Sequence, residues 1–164
     1  MVKNAQNLNR RSFILSAGAG IASACGLLSA CGTDDGPTTA SLEDSPAVKE
    51  FERQANAFID QNRTTDGEIY PKSAKDVYLM VKRFSFEPGQ LRLDRNVAYR
   101  FRMMAADVPH GVWVKPSDSG PLTLTPGELY EHVFTFRKPG RYFITCSTYC
   151  GTGHDKMRAT IQVV

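Results

Sequence analysis

Two cysteines, a histidine and a methionine fall within twelve residues near the end of the chain, at Cys146, Cys150, His154 and Met157. A further histidine, His110, lies upstream in an Asp-Val-Pro-His-Gly segment. Thiolate and thioether sulfurs are soft ligands that suit copper, and imidazole suits copper as well. The spacing therefore predicts a copper site, and the fold must bring this loop and His110 to one place.

These donors allow more than one kind of site. His110, Cys150, His154 and Met157 by themselves describe a mononuclear blue-copper centre, in which the methionine is a weak axial ligand. Cys146 adds a second thiolate, and two thiolates can bridge two copper ions, with one histidine left for each metal. In an oxidising compartment the cysteines can instead form a structural disulfide, but a disulfide does not explain the histidines and the methionine at their offsets.

The order of the donors resembles that of the binuclear CuA domain of cytochrome c oxidase subunit II and of nitrous oxide reductase. The family pattern is an upstream His followed by C-x3-C-x3-H-x2-M, and the resemblance extends over roughly residues 76–164. In that family both Cys sulfurs bridge the coppers, each copper takes one His, and a Met sulfur and a backbone carbonyl complete the set. Many subunit II proteins carry Glu at the carbonyl position, which is Thr here, but a carbonyl ligand tolerates that change. The resemblance implies a pair of copper ions held by His110, Cys146, the carbonyl of Thr148, Cys150, His154 and Met157.

From residue 74 onward the sequence has the pattern of short strands separated by turns. Pro-Gly turns lie at Pro88 and Pro126, and one half-buried strand is marked by the alternating apolar residues Val97, Tyr99, Phe101 and Met103. Many short strands of this kind predict an all-β sandwich. The resemblance narrows this to the cupredoxin Greek-key sandwich over residues 74–164, in which the ligand loops lie together at one end.

Residues 1–30 have the features of a twin-arginine-type lipoprotein signal peptide. Paired arginines at Arg10 and Arg11 precede an aromatic and apolar run, and Leu-Ser-Ala before Cys31 resembles a lipoprotein cleavage site. Lipidation of Cys31 would anchor the protein to a membrane, because several acyl chains hold more firmly than one. The alternative is an ordinary cleaved signal with Cys31 as a bystander. Both predict export, and the first predicts a membrane-anchored lipoprotein on the extracytoplasmic (periplasmic or cell-surface) face.

The segment between the signal and the sandwich divides into a tether and a helix. Residues 31–45 are rich in Gly, Thr, Ser, Asp and Pro, which is typical of a flexible tether. Residues 46–73 are predicted to be a short amphipathic helix, over 46–62, and a linker. Ser45 fits the helix cap, Pro46 fits the first turn, and the apolar positions recur at helical spacing. The pattern fits both a helix packed on the side of the domain and a docking helix for a membrane partner.

The charge of the chain argues against some partners. The sequence has 20 Lys and Arg against 17 Asp and Glu, and loss of Lys3, Arg10 and Arg11 with the signal leaves 17 against 17. No nucleic-acid-binding motif is present, and an exported protein is not expected to bind nucleic acid. Basic residues in the sandwich argue against the strongly acidic face that some subunit II proteins offer to basic cytochromes c: Arg100, Arg102, Arg137, Lys138 and Arg141.

We expect a more apolar docking patch around His154 for electron transfer. Its candidates, each of which fits the core equally well, are Phe84, Phe86, Trp113 and Tyr149. Asp107 is a candidate hydrogen-bond acceptor that would orient the loop or the imidazole of His110, and capping of a turn is an equal alternative.

Other residues near these have structural interpretations. His132 is expected to be a packed or edge histidine, because it shares a strand face with phenylalanines. Gly151 and Gly153 are expected to allow a tight loop with positive φ. The remaining methionines of the strand region are interpreted as core or surface residues, not as copper ligands: Met80, Met103 and Met104.

The resemblance implies electron transfer. A pair of coppers that shares one electron through a thiolate bridge changes its ligand positions little on oxidation. The motif offers no open coordination site, general base or substrate pocket, so we expect no bond-making step from the domain alone, whether or not it belongs to cytochrome c oxidase. The implied donor is a c-type cytochrome or a small cupredoxin, and the implied acceptor is subunit I of a haem–copper oxidase. The alternatives are a free-standing CuA lipoprotein carrier that serves another reductase and, less favoured, a copper-handling chaperone or storage lipoprotein.

Overall fold

The computed structural model describes residues 41–164. The signal peptide, Cys31 and most of the tether that the sequence predicts lie outside these residues. The described part contains a short 3-10 helix at Leu42–Asp44, one α-helix and two β-sheets. The 3-10 helix falls within the predicted tether, so the last residues before the α-helix already have defined structure.

The α-helix, α1 (Pro46–Asn62), occupies the range that the sequence indicates. Ser45 caps it, since its side chain accepts a hydrogen bond from the amide of Val48, and Pro46 lies in the first turn. Its apolar face packs on the outer face of one sheet, against Tyr78, Met80, Met104 and Ala106. The helix is therefore packed on the side of the domain. None of the helices within residues 41–164 is long and apolar enough to cross a bilayer.

Nine strands follow in the described part of the chain. Their bounds are β1 (Asp76–Lys82), β2 (Ser85–Glu87), β3 (Gln90–Leu93), β4 (Ala98–Ala105), β5 (His110–Lys115), β6 (Leu122–Leu124), β7 (Tyr130–Thr135), β8 (Gly140–Thr145) and β9 (Arg158–Val163). One sheet has the order β2-β1-β4-β7 and the other the order β3-β9-β8-β5-β6. The β1–β4 and β3–β9 pairs are parallel, and the other pairs are antiparallel.

The two sheets share one apolar core. In β4, Tyr99, Phe101 and Met103 are buried, as the alternation in the sequence predicts. They pack with inward residues of the second sheet, which include Leu91, Val112, Ile144 and Ile161. The prediction of an all-β sandwich is therefore confirmed.

The methionines and the third histidine also have the structural roles expected of them. Met103 lies in the core between the sheets, whereas Met80 and Met104 lie beneath α1. His132 lies on β7, an edge strand, with its ring centroid 4.5 Å from that of Phe134. These residues stabilise the sandwich by packing.

Candidate metal centre

Strand pairing brings the loop of residues 146–157 next to His110. Strand β8 ends at Thr145 and β9 begins at Arg158, and these antiparallel neighbours hold the two ends of the loop together. The amide of Cys146 also donates to the carbonyl of Met157 at 3.4 Å. Strand β5 runs antiparallel to β8 on its other side, with Trp113 opposite Thr145, so the start of β5 projects past the end of β8. His110 is the first residue of β5.

The donor atoms that the sequence predicts are close together. The Sγ atoms of Cys146 and Cys150 are 3.9 Å apart. Nδ1 of His110 lies 3.7 Å from Sγ of Cys146, and Nδ1 of His154 lies 3.7 Å from Sγ of Cys150. Each thiol therefore has one imidazole nitrogen beside it.

Two further donors complete the group. Sδ of Met157 lies 3.8 Å from Sγ of Cys150, and the carbonyl oxygen of Thr148 lies 3.1 Å from Sγ of Cys146. Both cysteines are free thiols in this structure, and their separation is far beyond the S–S bond length of about 2.05 Å. The two cysteines therefore do not form a disulfide in this structure.

Most of the donor side chains are buried, and only that of His154 reaches the surface. His110 is 0% exposed, and Met157 and both cysteines are buried, whereas His154 is half-buried and Tyr149 beside it is exposed. Burial raises the pKa of the Cys150 thiol to about 11, and the neighbouring Cys146 thiol adds to the shift. A metal that binds here must therefore displace a proton from the thiol.

Asp107 orients the imidazole of His110. Its Oδ1 lies 2.8 Å from Nε2 of His110 and also accepts from the amide of Val108, while Oδ2 accepts from the amide of Arg83 at 2.8 Å. Burial by itself would raise the pKa of this carboxyl, but the two amides and the imidazole outweigh it and hold the pKa below its ordinary value. The ionised carboxylate favours the proton on Nε2, which leaves the Nδ1 lone pair facing Cys146. Asp107 thus both orients a histidine and caps a turn.

Positive φ angles shape the loop as the sequence predicts. Gly151 and Gly153 have φ of 126° and 120°, and a 3-10 helix at His154–Lys156 follows. The ring of Phe84 lies directly on both glycines, so that a Cβ at Gly153 would come within 2.9 Å of it. Only glycine combines this backbone conformation with so close a contact.

Two residues at the site were not identified from the sequence. A Cβ at Gly111 would lie 2.7 Å from the amide nitrogens of Ser147 and Thr148, so glycine allows the cysteine loop to approach β5. Arg83, in the turn between β1 and β2, donates from Nε to the carbonyl of Cys150 at 3.2 Å. Gly111 could have been identified from the sequence only by its position directly after His110. Arg83 could not, because its contact joins residues 67 positions apart and leaves no pattern in the nearby sequence.

The predicted docking patch needs one correction. Phe84 and Tyr149 are exposed by 39% and 76%, but Phe86 is only 2% exposed and belongs to the core. Phe86 pairs with Val81 inside the β1–β2 ladder and points inward, whereas Phe84 lies in the preceding turn. Trp113 is half-buried beside the metal end, and the ammonium of Lys115 lies 3.6 Å from its ring centroid.

A family comparison agrees with this geometry. The family described as cytochrome c oxidase subunit II, periplasmic domain, matches residues 75–164, which is more than half of the chain. The chain belongs to this family. The domain family is periplasmic, which indicates an extracytoplasmic location, and membership implies copper. The sulfur-rich donors fit that metal, and His110, Cys146 and Cys150 by themselves form a cluster able to hold an ion.

The matches to individual relatives cover only part of each relative's length. Cytochrome c oxidase subunit 2 of Thermus thermophilus is 33% identical over 87 residues, which are 53% of this chain and 64% of that protein. The protein of the same name from a second strain of that species is 33% identical over 87 residues, and the match covers 51% of it. The chain thus spans less than two thirds of either relative. Among solved structures, a heme-copper terminal oxidase dimer matches with a TM-score of 0.51 and 23% identity, over 56% of this chain and 66% of that one, which supports the fold.

Proposed function

We propose that residues 74–164 form a CuA domain that binds two copper ions and carries electrons within a respiratory oxidase. The observation that carries this proposal is the pair of thiols 3.9 Å apart with one imidazole nitrogen 3.7 Å from each. A mononuclear blue-copper site needs one thiolate, and this cluster supplies two. The family membership of the domain supports the same conclusion.

Each donor has a role in the proposed centre. Cys146 and Cys150 would supply the thiolate ligands of the copper pair, and His110 and His154 would supply its imidazole ligands. Met157 and the carbonyl of Thr148 are the remaining, weaker donors. Support comes from their distances of 3.8 and 3.1 Å to the nearest thiol sulfur, which match a single compact group.

Bound copper supplies the single-electron redox chemistry. The residues of the chain keep the site from rearranging when the charge changes. Asp107 holds the ring of His110, and the paired ends of β8 and β9 hold the loop. The sulfur atoms are buried, so water is kept away from them. A donor set that moves little on oxidation and reduction gives fast electron transfer. The domain by itself performs no bond-making step in this proposal.

The partners follow from the family and from the exposed aromatic residues. We propose that a c-type cytochrome or a small cupredoxin docks beside His154 on Phe84 and Tyr149, with Trp113 at the edge of the patch. The acceptor is subunit I of a haem–copper oxidase, since the relatives are named cytochrome c oxidase subunit 2. The twin-arginine signal and the lipid on Cys31 complete the proposal, in which the protein is a lipoprotein anchored on the extracytoplasmic face of the membrane.

The test of the site is a copper count with optical and EPR spectra of the copper-loaded protein, alongside a Cys146→Ser variant. We expect two coppers per chain and a mixed-valence signal delocalised over both nuclei, and a single copper in the variant. One copper with a mononuclear blue signal in the wild type would refute the binuclear centre. Colourless protein that binds only Cu(I) would refute electron transfer and favour copper handling.

The test of the partner is purification of the protein from its native membrane in mild detergent. We expect a haem-containing membrane subunit to accompany it in fixed proportion. Mass spectrometry of the same sample checks Cys31 for acyl chains, because lipidation adds the mass of those chains to the first residue after the signal. Purification without any haem subunit would favour the free-standing carrier that serves another reductase.

A further inference from the structure

Arg83 joins two parts of the chain that meet at the metal centre. It lies in the turn between β1 and β2. Its backbone amide donates to Oδ2 of Asp107 at 2.8 Å, and its side-chain Nε donates to the carbonyl of Cys150 at 3.2 Å. Asp107 in turn holds Nε2 of His110. Arg83 therefore connects Asp107, which orients His110, to the backbone of Cys150 in the loop.

We propose that Arg83 is a positioning residue that fixes the cysteine loop relative to His110 and tunes the reduction potential of the centre. This inference rests on the proposed function, because a potential exists only if the site binds redox-active metal. The positioning role depends on the two hydrogen bonds of Arg83, which are present in the metal-free protein.

The charge of the guanidinium gives the effect on potential a definite sign. A charged donor makes a stronger hydrogen bond to a carbonyl than a neutral donor does. Reduction adds an electron to the site, so a positive charge beside Cys150 stabilises the reduced state and raises the potential. Removal of the charge should therefore lower the potential. Since the side chain of Arg83 is exposed, the part of the effect that acts through solvent is weakened by salt.

Lys82 provides a matched control in the neighbouring position. Its Nζ lies 2.6 Å from Glu52 of α1 and 3.8 Å from Glu87, so its charge is directed to the helix side and makes no bond to the loop. Lys82→Gln removes a positive charge one residue from Arg83 and leaves both of the hydrogen bonds of Arg83 in place. Comparison of the Arg83 and Lys82 variants therefore separates the effect of the specific contact to Cys150 from the effect of any positive charge near the site.

The experiment compares Arg83→Gln, Arg83→Lys and Lys82→Gln with the wild type in the full copper-loaded chain. The reduction potential and the EPR spectrum are measured at about 0.1 M and about 1 M salt, where the Debye length falls from about 10 to about 3 Å. We expect Arg83→Gln to lower the potential at both salt concentrations and to change the EPR hyperfine pattern. Arg83→Lys should recover part of the potential, and Lys82→Gln should leave both readouts at the wild-type values.

A second readout uses the metal-free protein. Arg83→Met keeps a side chain of similar length but has no N–H donor, so the loop loses its hydrogen bond to the β1–β2 turn. The rate at which a disulfide reagent modifies Cys150 at fixed pH should therefore rise several-fold in Arg83→Met. Equal shifts in Arg83→Gln and Lys82→Gln, or wild-type values in both, would overturn the proposal. A wild-type protein that binds no copper would refute the proposed function, whereas an unchanged thiol rate in Arg83→Met would refute the positioning role by itself.

Discussion

Oδ1 of Asp107 lies 2.8 Å from Nε2 of His110, and this contact decides which nitrogen of the imidazole faces the thiols. The two residues are three positions apart, so the turn between them brings the acceptor to its histidine. Because two backbone amides also bind the carboxylate, Asp107 is held in place before any metal arrives.

Replacement of this carboxylate should weaken the metal site. We expect Asp107→Ala to lower copper affinity by about 10- to 100-fold, since the hydrogen-bond partners of histidine ligands typically contribute that much. In Asp107→Asn the amide oxygen can still serve His110, but its NH2 faces the amide of Arg83, so the loss should be intermediate. Competition with a Cu(I) chelator measures the affinity.

The control for that series is Asp155→Ala, which removes an exposed acid from the same loop. Its copper affinity should stay near the wild-type value. If Asp107→Ala and Asp155→Ala lost affinity equally, the effect would come from net charge near the site and not from the orientation of His110.

Gly111→Ala tests the close approach of the cysteine loop to β5. The added Cβ would lie 2.7 Å from the amide nitrogens of Ser147 and Thr148, so the loop must move. We expect the free energy of unfolding to fall by about 1–3 kcal/mol, as for other overpacked sites, and copper binding to weaken with it. Urea denaturation measures the first effect. Gly120→Ala is the control, because a Cβ there meets nothing within 4 Å, and an equal loss in both variants would contradict the steric explanation.

The grouping of the candidate donors was largely predictable from the sequence, because thiol, thioether and imidazole side chains carry their own chemistry. Four side-chain donors lie in one loop at fixed spacing, and His110 is one of only three histidines in the chain. The helix α1 was predictable for a similar reason, since Ser45, Pro46 and the apolar spacing are all local signals. The roles of such residues can be inferred from the few positions around them.

The supporting contacts were not predictable, because they depend on which segments the fold brings together. The bond from Arg83 to the carbonyl of Cys150 joins residues 67 positions apart. Phe84 and Phe86 look equivalent in the sequence, but a strand begins between them, and only Phe86 turns into the core. Sequence pattern gives the period of a strand more reliably than the residue at which the strand starts.

Met157→Leu should change the redox behaviour of the centre without unfolding the domain. Met157 is buried, and an exchange of Met for Leu conserves volume and costs less than about 1.5 kcal/mol. Loss of a thioether that donates electron density to the metal destabilises the oxidised state, so we expect the reduction potential to rise. Spectroelectrochemical titration measures it. Met103→Leu, which changes a methionine of the core that is not among the donors, is the control, and equal potentials in all three proteins would contradict a ligand role for Met157.

Tyr149→Ala tests the proposed docking patch. Tyr149 is 76% exposed, and its ring centroid lies 5.8 Å from that of His154, so a partner that covers this ring comes close to the metal edge. Exposed aromatic residues often dominate the binding energy of an interface. We expect the second-order rate of reduction by a soluble c-type cytochrome to fall several-fold with no change in potential, as measured by stopped-flow absorbance.

Val133→Ala is the matched control for Tyr149→Ala. Val133 is also exposed but lies on β7, in the sheet that does not carry the donors. Its reduction rate should equal that of the wild type. If Tyr149→Ala reacted as fast as Val133→Ala, docking would have to use another surface.

Lys82 and Glu52 tie α1 to the sheet, and their ion pair should give stability a defined pH dependence. The two groups lie 2.6 Å apart and are both partly exposed, so we expect the pair to contribute up to about 1 kcal/mol at neutral pH. The hydrogen bond to Glu52 raises the pKa of Lys82 above its ordinary value of 10.5. The stabilisation is therefore complete below pH 10.5 and disappears as the pH rises through the higher pKa of the folded state.

Urea denaturation of the wild type, Lys82→Gln, Glu52→Gln and the double variant at about pH 7 measures the coupling between the two side chains. The difference between wild type and Lys82→Gln should shrink when the same titration is repeated above the raised pKa of Lys82, because the lysine is then neutral in both the folded and the unfolded state. A difference that stayed constant across that range would assign the effect to packing of the lysine stem.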